Sequence, residues 1–406
     1  MNTFLRSLSM ATTHAPDCTT ATARGLSMSL DLGWSSWKLA FTVGLGQKPR
    51  LRTASARNIP ALLAEIRAAK ARFGLPEDAP VASCYEAGRD GFWLHRCLLA
   101  YGVDSVVVDA ASIEVNRRKR RSKSDRLDAI KLVEMLVRWR QGESKVWSVV
   151  HAPSAEAEDA RQLHRELIAL RGERTAHVNA IKGMLAGLGL SAAVDQRLPQ
   201  RLSTMRQWDG TPIPRGVHQR ILRELERWRL VCRQIAELEG QRRAKIRDDA
   251  TPHVEKVRRL LGLKGVGENG AWLLVEELFE WRRIGNRREL GSLAGLAPTP
   301  YASGESRREQ GISKAGNRRV RWLMVQLAWC WLRYQPGSAL SRWYVARFAG
   351  GNARSRKVGI VALSRKLLVS LWKYVEKGEP PEGAEVTAWD GKRPPAGGGQ
   401  PVRKAS

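Results

Sequence analysis

Between Leu26 and Asp109 short β-prone runs alternate with one-sided helical periods, and a chain patterned this way has few folds open to it. Met28 to Gly33 reads as a strand ending in a turn. Trp37 to Val43 reads as a second strand, and Arg50 to Ala54 as a third after the turn Gly44 to Pro49. Pro60 to Phe73 carries Leu62, Leu63, Ile66 and Ala69 at helical spacing, and Gly74-Leu75-Pro76 ends it. Val81 to Tyr85 is a strand closed by Glu86, Phe92 to Ala100 a helix, and Ser105 to Asp109 a β-branched strand suited to a buried parallel position. The order predicts an α/β domain with an antiparallel hairpin part and a parallel part.

In such a sheet, sites form at the carboxyl ends of strands. Asp31 closes the first strand and Glu86 a later one. A basic stretch, Asn116 to Lys123 with Arg117, Arg118, Lys119 and Arg120, leads into Ser124-Asp125-Arg126-Leu127-Asp128, which opens a helix. Asp125 and Asp128 are three apart and share one helical face. Two readings stand for them. Ser124 can be an N-cap with acids in the first turn, where the helix dipole favours them. Alternatively Asp31, Glu86, Asp125 and Asp128 converge, and their mutual repulsion calls for cations; hard oxygen ligands suit Mg²⁺. Asp109 and Glu114 are the nearest substitutes, Asp109 because it also ends a strand.

From Glu156 to Leu188, leucines and other apolar residues recur every three or four positions, predicting a long amphipathic helix. Ile221 to Leu238 repeats the pattern. The two predict an antiparallel helical, coiled-coil-like arm (151–250) with a polar linker over 189–216, and a dimerisation surface or a nucleic-acid-facing side carried by Arg171, Arg174, Arg242, Arg243 and Lys245.

A mostly helical domain is expected over 251–375. Leu260 to Gly267 resembles a helix-hairpin-helix turn whose backbone N–H groups, with Lys264, can hold a phosphate. Gly295 to Gly304 reads as a turn-rich loop ending in the Ser303 hydroxyl. Gly311 to Asn317 is a second turn, in which Ser313 is expected to cap, and it opens a basic, Trp-rich helix to Tyr334. Lys314, Asn317, Arg318, Arg319 and Arg321 are placed there to meet an anion. Residues 1–26 read as a disordered leader without the apolar core of a signal peptide, and 376–406 as a Gly/Pro-rich disordered tail.

Composition narrows the partner. Across 406 residues, 69 Lys and Arg stand against 40 Asp and Glu, a net charge of +29, so the expected partner is a polyanion, nucleic acid first. The 15 Trp are unusual: some are expected in cores, and others suit stacking on bases or sugars. Five scattered cysteines without a CxxC pair argue against a disulfide framework or structural zinc, and for a reducing compartment. The apolar run Trp322 to Leu332 is broken by Gln326 and is about half what a membrane span needs, so no membrane partner is expected.

Together these segments resemble the transposases of bacterial insertion sequences that carry an N-terminal DEDD site on a RuvC-like (RNase H-like) domain and a separate C-terminal transposase domain. The likeness rests on Ser29-Leu30-Asp31-Leu32-Gly33, Tyr85-Glu86-Ala87, Lys123-Ser124-Asp125-Arg126-Leu127-Asp128-Ala129, Leu293 to Pro298, Ser303-Gly304, and Ile312 to Asn317 with Arg321. It spans roughly 27–375, with 27–150 as the RuvC-like domain. A proline usual before the first glycine of the Leu260 to Gly267 turn is replaced here by Lys264.

The resemblance implies DNA strand exchange. Ser303 would be a nucleophile forming a transient phosphoserine link to DNA, and the four acids would hold Mg²⁺ at the same phosphate. It also implies guidance by a structured non-coding (bridge) RNA pairing with donor and target DNA, homodimers assembling to tetramers, and a nucleoid-associated place in the bacterial cytoplasm. Two other readings remain open from the residues: a RuvC-like nuclease or junction resolvase, and a non-catalytic nucleic-acid-binding scaffold.

Overall fold

The computed structural model describes residues 25–113, 125–303, 306–387 and 389; the side chains of 111, 125, 126, 300–303 and 306–310 are not described. The expected leader up to 24, the basic stretch with Arg117, Arg118, Lys119 and Arg120, and the last part of the expected tail lie outside the described residues. The chain divides into two compact units, up to Ala152 and from Pro153 onward.

The first unit is built on a six-stranded sheet of order β3-β2-β1-β4-β5-β6. Its strands are β1 (Leu26–Leu32), β2 (Ser36–Thr42), β3 (Arg50–Ser55), β4 (Val81–Glu86), β5 (Asp104–Val108) and β6 (Val149–Val150). β1 to β3 form an antiparallel meander, β4 and β5 run parallel to β1, and β6 is antiparallel to β5. Helices α1 (Ile59–Arg72) and α2 (Trp93–Ala100) bury Leu62, Ile66, Leu94 and Leu98 with Leu30, Trp37 and Tyr85. Helix α3 (Asp125–Arg140) packs Leu132 and Leu136 in a separate cluster with Cys84 and Val108. Strand alternation explains this division: Leu30 and Tyr85 face one way, Ser29 and Cys84 the other.

In the second unit α4 (Ala155–Ala186) and α6 (Arg215–Asp248) lie side by side. They run antiparallel, because Arg171 meets Glu239 at 2.6 Å while His177 meets Glu224 at 2.7 Å. The 189–216 stretch, expected as a linker, folds onto their far end. Helix α5 (Leu198–Thr204) buries Leu198 and Leu202 against Ile181, Leu185, Ile221 and Leu225. The near end does not form a domain apart from the helices that follow: Arg242 of α6 donates to Asn269 and Glu268.

Those helices are α7 (Pro252–Leu261), α8 (Glu268–Leu274), α9 (Arg287–Leu293), α10 (Arg318–Tyr334), α11 (Ala339–Tyr344) and α12 (Ala353–Lys377). They share one core in which Trp272, Phe279, Met324, Trp331 and Leu371 are buried. After α8 the backbone passes through a π-helical turn, Val275–Phe279. Residues 298–312, expected as loops, form a hairpin of β7 (Pro298–Ser303) and β8 (Ser306–Ile312).

The expected tail is packed as far as it is described. Gly378 ends α12 in the left-handed conformation, and the chain then turns back. Glu385 is held through both its backbone groups by the Gln335 side chain, and Thr387 donates to the carbonyl of Gly262 at 2.8 Å. Among the described residues no helix is long and apolar enough to cross a membrane.

Candidate functional site

In the first unit the register of β1 and β4 pairs Leu30 with Tyr85, which sets Asp31 beside Glu86 at the carboxyl ends of neighbouring parallel strands. Alternation sends both toward the face that carries Ser29 and Cys84. Helix α3 covers that face. The Ser29 hydroxyl donates to the Ala129 carbonyl at 2.6 Å, and the Cys84 thiol lies 3.6 Å from the Leu132 carbonyl. Further along α3, Met135 and Leu136 share a cluster with Ala82 near the start of β4. The helix therefore begins, with Asp125 and Asp128, toward the strand ends where Asp31 and Glu86 stand.

Asp109 is different. Val108 is in register with Glu86, so the pleat turns the next residue, Asp109, away from the α3 face. Its backbone N–H donates to Ser148 and its carbonyl accepts from the Ser112 hydroxyl. Of the strand-end acids, Asp31 and Glu86 are the pair placed together.

The donors of this carboxylate group are all oxygens, the chemistry that suits Mg²⁺. Among the described residues no three His, Cys, Asp or Glu side chains are gathered around one metal-sized point. Asp125, whose side chain is not described, is one of the four residues concerned.

In the second unit Ser303 is the last residue of β7 and pairs with Ser306 across the hairpin end. At the hairpin base the 313–317 turn lies against the end of α9. Ser313 donates to Ala297, Lys314 to Gly295, and Asn317 to Leu293, all through backbone N–H groups. Two glycines make this contact possible. Gly316 has φ +130°, and a Cβ there would sit 2.5 Å from the Leu293 carbonyl oxygen; Gly295 has φ +65°, and a Cβ there would sit 2.4 Å from an Arg321 nitrogen.

The turn's residues are used differently from the expectation. Asn317 caps α10: its Oδ1 accepts from the backbone N–H groups of Arg319 and Val320. The Ser313 hydroxyl has no hydrogen-bond partner among the described residues. Arg321, expected to meet an anion, donates to the Lys314 carbonyl at 2.8 Å and braces the turn. Lys314, Arg318 and Arg319 are exposed.

The turn between α7 and α8 is a poor phosphate cradle. Lys264 is ion-paired with Glu385 at 2.7 Å, and Glu268, in the first turn of α8, lies 3.2 Å from Arg242. A carboxylate belonging to the chain already occupies the helix start.

The residue that organises this unit was not anticipated from the sequence. Glu277, in the π-helical turn, is 2 % exposed. Its Oε1 accepts from His164 Nε2 at 3.0 Å and Arg165 Nε at 3.1 Å. Its Oε2 accepts from Arg165 at 3.3 Å and from Asn317 Nδ2 at 2.9 Å. Burial alone would raise this carboxyl's pKa, but the hydrogen bonds and charge from His164 and Arg165 outweigh it and hold Glu277 well below the usual carboxylate range. Its neighbour Glu276 has the opposite fate. Burial, then the like charge of Glu280, pushes it up to about 7, and its Oε1 has no hydrogen-bond partner. The available signal was two adjacent acids inside the apolar run Ala271 to Phe279, since a buried charge demands partners.

Comparison with known proteins fits this second unit first. Residues 257–343, which hold Glu277, Ser303 and Asn317, match the model of the transposase IS116/IS110/IS902 family. Over 395 residues the chain is 40 % identical to y4rJ of Sinorhizobium fredii, which bears the name of a transposase, covering 92 % of this chain and 98 % of that one. It is 30 % identical over 233 residues to the transposase for insertion sequence element IS1328 of Yersinia enterocolitica, covering 56 % of this chain and 66 % of that one. With the transposase for IS1111A of Coxiella burnetii it shares 24 % over 288 residues, 70 % of this chain and 75 % of that one. The near end-to-end likeness to y4rJ and the family match over the hairpin and its capped helix establish that the chain belongs to the IS116/IS110/IS902 family of transposases.

Proposed function

We propose that this transposase exchanges DNA strands with two groups of residues: an acidic group, Asp31, Glu86, Asp125 and Asp128, on an RNase H-like (RuvC-like) sheet, and the Ser303 hydroxyl at the hairpin end. The observation that carries the reading is the placement of Asp31 and Glu86 on one face at adjacent strand ends, on the side covered by α3. Strands at this spacing, about 4.8 Å apart, bring two carboxylates within reach of one cation. When bound there, Mg²⁺ supplies charge stabilisation at a phosphoryl oxygen.

The protein's own part is a serine exchange. The Ser303 Oγ–P bond forms as one P–O bond of the DNA backbone breaks; the serine proton passes to solvent and the departing sugar oxygen takes one up. Attack by a free sugar hydroxyl of the second DNA then reverses these changes and restores the serine. The bond count is conserved at each step, so the exchange needs no nucleotide cofactor. Family resemblance supports the remaining parts of the proposal: a structured guide RNA that pairs with donor and target double-stranded DNA, and homodimers that assemble to tetramers. In it, Lys314, Arg318 and Arg319 contribute to backbone contacts.

The test is covalent capture. Protein, the element's RNA and labelled donor and target DNA are mixed with Mg²⁺, denatured and resolved on a gel. An adduct lost in Ser303→Ala and in Asp31→Asn supports the joint mechanism. Cleaved DNA without an adduct, unchanged by Ser303→Ala, sinks the serine role and leaves a nuclease; binding with neither cleavage nor adduct leaves a scaffold.

A further inference from the structure

A groove of about 1250 Å³ runs beside the hairpin base, between α9, the 311–314 turn, α11 and α12. Its rim is cationic. Arg287 and Arg288 come from α9 and Lys314 from the turn, while α12 contributes Arg354, Lys357, Arg365 and Lys366. No acidic side chain lines the groove among the described residues. Crowded cations with no counter-charge raise the local potential and favour a polyanion. The floor is apolar: Leu296, Ile312, Leu340, Val358 and Val361, with Trp343 at one side. Val358 is 56 % exposed among these cations. Arg365 crosses the backbone at Gly291, where a Cβ would stand 3.1 Å from its Nε, so the glycine leaves room for the guanidinium.

We propose that this groove binds an unpaired nucleic-acid strand, phosphates on the cationic rim and base faces on the apolar floor. A duplex offers phosphate outward and keeps its base faces stacked inside, so it has no use for the floor. Unpaired nucleotides present both surfaces at once. Charge disfavours two segments outside the described residues as occupants, since Asn116 to Lys123 and the end of the chain are themselves basic. The inference rests on the nucleic-acid partner of the proposed function but on neither Ser303 nor the carboxylates.

The experiment is fluorescence anisotropy of the full chain in EDTA, which keeps divalent ions out of the measurement. Probes are a labelled single strand, the same sequence as a duplex, and a labelled polyglutamate. Lys357→Gln with Arg365→Gln is expected to weaken single-strand binding roughly tenfold and lower the salt slope by about 1.4, near 0.7 per cation removed. Duplex binding should change less than about twofold. Val358→Ser, at an exposed position, is expected to weaken the single strand selectively while leaving the salt slope unchanged, which separates the floor from the rim. Arg220→Gln with Arg223→Gln, exposed on α6, removes equal charge elsewhere. The proposal is overturned if that control loses as much affinity, if the duplex weakens by the same factor, or if polyglutamate competes for the groove as well as the single strand does. Loss of the covalent adduct in Ser303→Ala with groove binding intact separates the two readings.

Discussion

Glu277 and Asn317 form a 2.9 Å hydrogen bond that ties a π-helical turn to the first residue before α10. The same Asn317 amide uses its oxygen to cap that helix, so one side chain serves two elements. Arg165 and His164 hold the other side of the carboxylate. Glu277→Ala leaves Arg165 and His164 without their buried counter-charge and is expected to cost about 3–5 kcal/mol. Asn317→Ala loses a cap and one donor, about 1–2 kcal/mol. Urea denaturation of both single variants and the double variant should show coupling of at least about 0.5 kcal/mol; strict additivity would refute the shared role.

Adjacent Glu276 sets a pH dependence. Its folded pKa of about 7 lies above the ordinary carboxylate value because burial, then the like charges of Glu280 and Glu277, outweigh the opposite pull of Lys245 and Arg161; His253 stands 3.9 Å away. Between the ordinary value and about 7 the folded state holds a proton that the unfolded state has released. Stability therefore falls as pH rises through that window. Glu277 acts in a lower one: its depressed pKa contributes stability that is lost as pH drops below the ordinary carboxylate value. Glu276→Gln should raise the thermal midpoint at pH about 8 by on the order of 5 °C and have little effect near pH about 5. A wild-type midpoint flat across that range would contradict the assignment.

What could be read from the sequence follows from the range of the interactions involved. Strand alternation and helical period are local, and they placed β1 to β5 and α10 within a residue or two. The Asp31 and Glu86 strand ends were visible for the same reason. Glu277 was not, because its partners lie 113, 112 and 40 residues away. The fold of 189–216 was hidden because two leucines one helical turn apart, Leu198 and Leu202, carry its burial. The 378–387 segment is held by backbone groups and Gln335, and Gly/Pro-rich composition does not reveal such pairing. Arg321 looked like an anion ligand because charge is evident in a sequence and a carbonyl partner is not.

The 313–317 turn is predicted to be intolerant of any side chain at Gly316. Its φ of +130° lies where L residues are rare, and a Cβ would meet the Leu293 and Ser292 carbonyl oxygens at 2.5 and 2.6 Å. These are backbone atoms and cannot rotate away. Gly316→Ala is expected to cost more than about 2 kcal/mol and to loosen the start of α10. Gly311→Ala is the comparison: φ is +90°, but nothing stands within 4 Å, so backbone strain alone acts, about 1 kcal/mol. Hydrogen exchange at Arg319 and Val320 amides would report the difference. Equal effects at the two glycines would show that the close approach to α9 is unimportant.

The strand-end acids give the sharpest division. Asp109 and Glu86 both terminate parallel strands, and by position alone either could belong to the acidic group. Register decides between them: Glu86 pairs with Val108, so Asp109 is one pleat further and turned away from the face that α3 covers. Under the proposed function, Glu86→Gln should reduce strand exchange roughly a hundredfold or more while leaving the thermal midpoint within a few degrees, because the side chain is exposed and belongs to no core cluster. Asp109→Asn should leave the rate within about threefold, since its backbone bonds to Ser148 and Ser112 survive the change. The measurement is the yield of covalent adduct against Mg²⁺ concentration for both variants. A right-shifted Mg²⁺ curve for Asp109→Asn and an unshifted one for Glu86→Gln would reverse the assignment and move the acidic group to the other face of the sheet.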